Sequence, residues 1–369
     1  MDDIVAIENW FEGTGYPVII AGPCSAESEE QVVDTARALA SDGRCHIFRA
    51  GVWKPRSRPS SFSGMGSEAL GWLARVKEET GMIVAIEAGT PGHVEEAIES
   101  GVADIFWIGS RTVSNPFSVD EIAEALRGTG RAVMVKNPLT PDIDLWSGAI
   151  ERVYGAGISR LAAVHRGFSP FGRSRYRNMA KWEVPLGIRD RFPHISIISD
   201  PSHLAGEASL VPEVAERALK IGMDGFMVEV HHDPDRALSD RRQQLTPVAF
   251  SSLMDRLMAG WSGVSGRSPY DMLQGLRDQV DSIDYQLIEL ISARMEIAAR
   301  MGEYKRRHNI SIVQIERWLD IARSRVAHGR SAGLDIPFTE AFMKLLHHES
   351  VKIQASVDSD HNPERDHPQ

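Results

Sequence analysis

The stretch His46-Ile47-Phe48-Arg49-Ala50-Gly51-Val52-Trp53-Lys54-Pro55-Arg56-Ser57-Arg58-Pro59 decides how the rest of the chain is read. Its first residues form an apolar run of strand composition. Its second half is a loop that Pro55, Pro59 and then Gly64 keep from becoming a helix. Four cations, Arg49, Lys54, Arg56 and Arg58, fall within ten residues of that junction. Loops fixed to rigid strands are where ligand chemistry is carried, and the planar fork of arginine grips phosphate and carboxylate. A solvated basic turn has the same composition, so recurrence along the chain separates the two readings.

The pattern recurs. Apolar runs of the same kind are Val18-Ile19-Ile20-Ala21, Ile83-Val84-Ala85-Ile86, Asp104-Ile105-Phe106-Trp107-Ile108, Ala132-Val133-Met134-Val135, Ser159-Arg160-Leu161-Ala162-Ala163-Val164, Ile195-Ser196-Ile197-Ile198 and Gly225-Phe226-Met227-Val228, which with 46–49 makes eight. Between them lie helical patterns over 29–41, 67–80, 93–100, 119–127, 143–154 and 210–221, with a last one over 247–258. Near-continuous apolar strands, each followed by a helix, are what a parallel sheet covered by helices demands. Eight such units between residues 18 and 258 fit a closed (β/α)8 barrel of the TIM type better than an open sheet. No Gly-x-Gly-x-x-Gly turn opens the first helix, which removes the best support for a dinucleotide-binding sheet.

The totals agree with an ordinary globular protein. At 369 residues two domains are expected, and 42% hydrophobic with 25% charged residues gives ample core. A formal charge of −10 argues against a main task of coating nucleic acid or an anionic membrane. Two cysteines, Cys24 and Cys45, cannot build a disulfide framework, so a reducing setting is expected. Neither a signal peptide nor a run of about eighteen apolar residues is legible, and the expected location is cytoplasmic.

In such a barrel the chemistry sits where strands end and loops toward the helices begin. Those positions hold Cys24, Arg49 with Lys54 and Arg56, Glu87, Arg111, Lys136, His165 with Arg166, Asp200 with His203, and Glu229 with His231 and His232. The opposite loops, Ser41-Asp42-Gly43 for one, are plain turns. Arg49, Lys54, Arg56, Arg111, Lys136 and Arg166 form a cationic group whose burial is costly unless anions neutralise it, which points to a ligand with more than one phosphate or carboxylate. Cys24, His203 and Glu229, with a loop residue such as Asp240, form a second group. Thiolate, imidazole and carboxylate together suit a divalent transition metal rather than Mg²⁺ or Ca²⁺. His231 and His232 read as loop residues, and Arg173-Ser174-Arg175-Tyr176-Arg177 as a solvated face.

These motifs resemble a known family. Ala21-Gly22-Pro23-Cys24-Ser25, Arg49-Ala50-Gly51, Lys54-Pro55-Arg56-Ser57, Ile108-Gly109-Ser110-Arg111, Val135-Lys136-Asn137-Pro138, His165-Arg166-Gly167, Asp200-Pro201-Ser202-His203, Val228-Glu229-Val230-His231 and Ser239-Asp240 are similar to the short bacterial branch of 3-deoxy-D-arabino-heptulosonate 7-phosphate (DAHP) synthases, across residues 17–258. The resemblance implies condensation of phosphoenolpyruvate with erythrose 4-phosphate, the first step of the shikimate pathway. It implies that Cys24, His203, Glu229 and Asp240 hold a divalent metal, Mn²⁺ first, with Fe²⁺, Co²⁺ or Zn²⁺ as alternatives. It further implies that Arg111, Lys136, Arg166 and Lys54 hold phosphoenolpyruvate, that Arg56 and Ser57 hold the aldose phosphate, and that Arg49 lines the same pocket. Lys54 is the candidate proton donor. The rival 3-deoxy-D-manno-octulosonate 8-phosphate synthases typically carry Lys-Ala-Asn-Arg-Ser where this chain has Lys54-Pro55-Arg56-Ser57.

Residues 259–269, Ala-Gly-Trp-Ser-Gly-Val-Ser-Gly-Arg-Ser-Pro, read as a linker between a barrel over 1–258 and a helical domain over 270–357, and 358–369 as a disordered polar tail. Ser268, Pro269 and Asp271 make a helix start. An apolar stripe then runs Leu273, Leu276, Val280, Ile283, Leu287, Leu290, Ile291, Ala298 and Met301. A helix reaching His308 would be about 55 Å long, too long for a small domain to cover, so a second copy of the chain is expected against it. Two shorter helices are expected over 313–328, ended by Gly329, and over 337–357. Arg294 and Lys305 sit on the apolar stripe, which points to a buried dianion.

This segment resembles the all-helical chorismate mutases, whose binding positions Arg277, Arg294, Lys305, Arg317, Ser350 and Gln354 match. The resemblance implies conversion of chorismate to prephenate, with both carboxylates clamped in the reactive conformer. Gln314 and Trp318 stand where that family usually has Asp and Glu. A domain that only senses chorismate or prephenate, or only dimerises, is the alternative.

Overall fold

Eight parallel strands close on themselves in chain order: β1 (Val18–Gly22), β2 (Ile47–Ala50), β3 (Ile83–Ala88), β4 (Ile105–Ile108), β5 (Ala132–Lys136), β6 (Leu161–His165), β7 (Ser196–Ser199) and β8 (Gly225–Glu229). β8 returns to β1 in register from Val18 opposite Gly225 to Gly22 opposite Glu229. The computed structural model describes residues 1, 3–55, 60–170, 174–261 and 269–356.

Every strand is buried on both faces, which is why the runs carry no polar alternation. Side chains still alternate. Val18, Ile20, Ile47, Ala85, Ile105, Trp107, Met134, Val164, Ile198 and Met227 belong to one buried cluster inside the barrel. The residues between them, such as Ile19, Phe48, Val84, Phe106, Val133 and Phe226, pack with the helices in the outer layer. This register places the site. Two residues beyond Ile47, Ala85, Met134, Val164, Ile198 and Met227 stand Arg49, Glu87, Lys136, Arg166, Asp200 and Glu229.

The expected helices appear as Glu29–Asp42, Glu68–Thr80, Pro91–Glu99, Pro116–Leu126, Ile143–Gly155, Val211–Lys220 and Pro247–Trp261. An additional helix, Glu183–Arg191, precedes β7. Pro185 and Gly187 hide it in the sequence, yet proline is tolerated in a first turn, where its missing N–H has no helical partner. The N-terminal segment was silent in the sequence and closes the inner layer: Ile7 and Trp10 join the interior cluster, and Ile7 N donates to Ser196 Oγ at 3.1 Å.

C-terminal to the barrel run helices Pro269–Arg307, Ile315–Ser331 and Ile336–Ser356. The chain divides into two compact units between Ser282 and Ile283. The stop expected at Gly329 is absent. The helix continues to Ser331, and the left-handed residue is Gly333, at φ +80°. A Cβ on Gly329 would stand 2.8 Å from Thr339, so this glycine lets two helices approach. Residues 262–268 of the expected linker and the whole 358–369 tail lie outside the described residues. Among the described residues no helix is long and apolar enough to cross a membrane.

Candidate active site

β1 ends at Gly22, whose φ is +148° and where a Cβ would stand 2.1 Å from Arg49 O. Only glycine lets β1 and β2 run this close before the chain turns to Cys24. Cys24 Sγ lies 3.4 Å from Asp240 Oδ2, and Cys24, Glu229 and Asp240 bring donor atoms within 4.8 Å of one another. Cys24 and Glu229 are fully buried. Arg177 Nη1 donates to Asp240 Oδ1 at 3.0 Å and to Gln243 Oε1 at 2.6 Å, while Gln243 Nε2 donates to Glu229 Oε2 at 2.7 Å.

His203 stands beside this trio. Its Nε2 is 3.7 Å from Glu229 Oε1, and its Nδ1 is 2.8 Å from Asp200 Oδ2. Asp200 stands close to Nδ1 without a well-aligned hydrogen bond, and Nε2 is the ring nitrogen nearer Glu229. Burial, with Glu229 and Asp240 alongside, pushes the Cys24 thiol up to about 12. Burial would also raise Asp240, but His203, Arg177 and Lys54 outweigh it and hold that carboxyl below the usual range. Glu229 Oε1 is buried and accepts no hydrogen bond among the described residues. A sulfur and two carboxylates within 4.8 Å of one another, with an imidazole beside them, fit a divalent cation, which would lower the thiol pKa.

The cations converge next to this cluster. Lys136 Nζ is 2.8 Å from Asp200 Oδ2, and Lys54 Nζ is 3.4 Å from Glu87 Oε2 and 3.1 Å from Cys24 O. Arg49 Nη2 is 3.3 Å from Glu229 Oε1. The protein's own carboxylates therefore neutralise these buried charges, as the cost of an unpaired buried ion requires. Burial lowers the Lys54 pKa, but Cys24 and Glu87 outweigh it, so the net shift is upward. Arg49 Nε and Nη1 find no hydrogen-bond partner among the described residues. Its guanidinium and the Lys136 ammonium lie 4.8 and 5.7 Å from the Trp107 ring centre. A Cβ on Gly109, two residues past Trp107, would stand 2.1 Å from Glu87 Oε1, so glycine there leaves Glu87 room to reach Lys54.

Lys54, Arg111, Lys136, Arg166, His203 and Asp240 line one cleft, with Glu87 and Arg177. Arg166 is held by Asn178 Oδ1 at 2.9 Å. Arg56 and Ser57 lie outside the described residues. Three further residues take part that the sequence left without a role. Glu87 and Asp200 were legible at strand ends, where their register gives them away. Arg177 is exposed, as expected of the 173–177 face, and in addition reaches Asp240 and Gln243 at the cleft. His231, expected on a loop, is 2% exposed.

His165 supplies a pH dependence. Its Nε2 lies 2.6 Å from Ala180 O, its ring packs on Trp182 at 4.9 Å, and burial pulls its pKa down to about 3. The unfolded chain takes up a proton near pH ~6.5 that the folded chain refuses, so stability falls as pH drops from about 6.5 toward 3, by at most about 1.4 kcal/mol per pH unit. Above that window His165 contributes nothing. Its imidazole resonances will not shift between about pH 8 and pH 5, and a midpoint near 6.5 would contradict this burial.

In the helical unit, Arg294 Nη1 donates to Leu346 O at 3.0 Å and contacts Ser350 Oγ. Lys305 Nζ donates to Ile312 O at 2.7 Å. Ser350 and Gln354 are buried, and Gln354 Oε1 has no partner among the described residues. Arg277 and Arg317 are exposed and are not drawn into this group.

Comparison with known proteins assigns both segments of the chain to families. Residues 3–259 match the DAHP synthetase I family and residues 276–355 match chorismate mutase type II. A phospho-2-dehydro-3-deoxyheptonate aldolase of Thermotoga maritima is 30% identical over 256 residues, 69% of this chain and 73% of that one. A 2-dehydro-3-deoxyphosphooctonate aldolase of Nitratidesulfovibrio vulgaris is 30% identical over 260 residues, 66% of this chain and 92% of that one. The crystal structure of the DAHP synthase from Thermotoga maritima superposes with a TM-score of 0.59 at 30% identity, covering 66% of this chain and 68% of that one.

Proposed function

We propose a site for each half of this chain, which belongs to the DAHP synthetase I family and carries a C-terminal chorismate mutase type II domain. The barrel makes DAHP from phosphoenolpyruvate and erythrose 4-phosphate, the first step of the shikimate pathway. Cys24, His203, Glu229 and Asp240 would hold a divalent metal, manganese first, and the buried trio of Cys24, Glu229 and Asp240 is the observation that carries this. Such an ion supplies Lewis acidity at the aldehyde.

The chain's own groups supply the rest. Arg111, Lys136 and Arg166 hold the phosphate and carboxylate of phosphoenolpyruvate, with the buried guanidinium of Arg49, whose Nε and Nη1 have no partner among the described residues, beneath. Cations fixed there stabilise the phosphate that leaves after water adds. Lys54, protonated between Glu87 and Cys24 O, delivers a proton from Nζ. Arg56 and Ser57 take the aldose phosphate. The test offers phosphoenolpyruvate with either erythrose 4-phosphate or arabinose 5-phosphate, with and without prephenate. Turnover only with the five-carbon sugar would reject the assignment. Both cysteines are free, which supports a reducing, cytoplasmic setting.

In the helical domain Arg294 and Lys305, with Ser350 and Gln354, are the residues we assign to chorismate. Val280, Ile283, Leu287 and Leu290 are each 45–57% exposed on one helix, which supports a homodimer through that stripe. Arg294→Ala removes charge-assisted hydrogen bonds and will lower chorismate turnover or binding about 10- to 100-fold, while sedimentation still gives a dimer. Unchanged chorismate loss would exclude Arg294, and a monomer in both proteins would exclude the dimer.

A further inference from the structure

Asp240 sits at φ +44° and ψ +34°, a left-handed conformation that few residues with side chains adopt, aspartate more readily than most. It arrives on a loop, so something has to hold it against Cys24. Two side chains do so from either side. Glu27, three residues after Cys24, accepts Leu238 N at 2.8 Å through Oε2 and Ser239 N at 3.2 Å through Oε1. Ser25 Oγ and Ser239 Oγ donate to the same Oε1 at 3.2 and 3.3 Å and also touch each other. Gln244, four residues after Asp240, accepts Cys24 N at 3.0 Å and donates to Ser239 O at 2.8 Å. Neither Glu27 nor Gln244 lines the cleft.

We propose that Glu27 and Gln244 form a two-point clasp that fixes the spacing between the Cys24 sulfur and the Asp240 carboxylate, and thereby sets the affinity of the metal site. Both are positioning residues, and the inference rests on the metal reading given above. A carboxylate is what the Glu27 position needs, because two backbone amides approach its two oxygens from one loop. Glutamine there keeps the shape but offers one acceptor oxygen and one NH₂, so either Leu238 or Ser239 is left facing a donor. The 238–240 loop then relaxes, and the favoured exit is away from the left-handed conformation at Asp240.

The test is a cobalt titration of the metal-free, full-length protein, following the near-ultraviolet absorbance of a cobalt–thiolate bond, with melting of the metal-free protein alongside. Wild type will show the band. Glu27→Gln and, as a second variant, Gln244→Ala will bind cobalt about 10- to 100-fold more weakly, as is usual when groups behind metal ligands are removed. Their metal-free melting temperatures will fall by no more than about 2–4 °C each, as loss of one or two hydrogen bonds allows, and DAHP formation will recover as cobalt is raised. Equal cobalt affinity in wild type and both variants would overturn the clasp while leaving the metal site standing. Weaker cobalt binding with a larger drop in metal-free melting temperature would assign the loss to general destabilisation and also overturn it. Absence of the band in wild type would remove the metal reading and the clasp together.

Discussion

Cys24→Ala will abolish metal-dependent condensation and leave the folded barrel without its ion. Sulfur is the only atom Cys24 brings to the cluster, 3.4 Å from Asp240 and grouped with Glu229. Its backbone ties do not depend on the side chain, since Gln244 holds the amide and Lys54 the carbonyl. Alanine therefore removes one metal donor with little rearrangement. Removing a group behind a metal ligand typically costs 10–100-fold in affinity, so loss of a ligand itself should exceed about 100-fold. The measurement is metal content after chelation and dialysis, paired with DAHP formation on metal restoration. Full activity of the variant after chelator treatment would remove Cys24 from the site.

Lys54→Ala will lose rate far more than metal. A positioned general acid contributes about 10²- to 10⁴-fold, and that is the expected fall in kcat, with bound metal at the wild-type level. The fold should survive the change, because burial of Glu87 is offset by Lys136 and Arg49 as well as by Lys54. Lys54→Arg keeps the charge beside Glu87 but moves the donor, so it should bind phosphoenolpyruvate and still turn over slowly. Loss of metal in proportion to rate would take Lys54 out of the chemistry and make it a support for the cluster.

How much was legible follows from where each residue's role originates. Arg49, Lys136 and Glu229 were legible because strand register is local: each stands two residues past an interior apolar side chain. Cys24 and His203 were legible as uncommon residue types at strand ends. The helix Glu183–Arg191 was not, because Pro185 and Gly187 break its pattern while packing against the barrel holds it. Arg177, Gln243 and Asn178 were illegible for another reason. Each is polar and on a loop, and acquires a role only because loops after β6 and β8 meet over the same mouth. Gly329 misled, since a glycine that stops a helix and one that lets two helices touch are the same letter.

By itself, the sequence determined the alternation of buried strands and helices, the closed barrel and the helical C-terminal segment. These depend on periods of two and 3.6 residues, which are written along the chain. Only the tertiary structure decided which carboxylate neutralises which cation, that Asp240 adopts a left-handed backbone beside Cys24, and that Glu27 and Gln244 hold it there. Those contacts join residues up to 220 positions apart, and a hydrogen bond fixes its partners by distance in space, which no local pattern records.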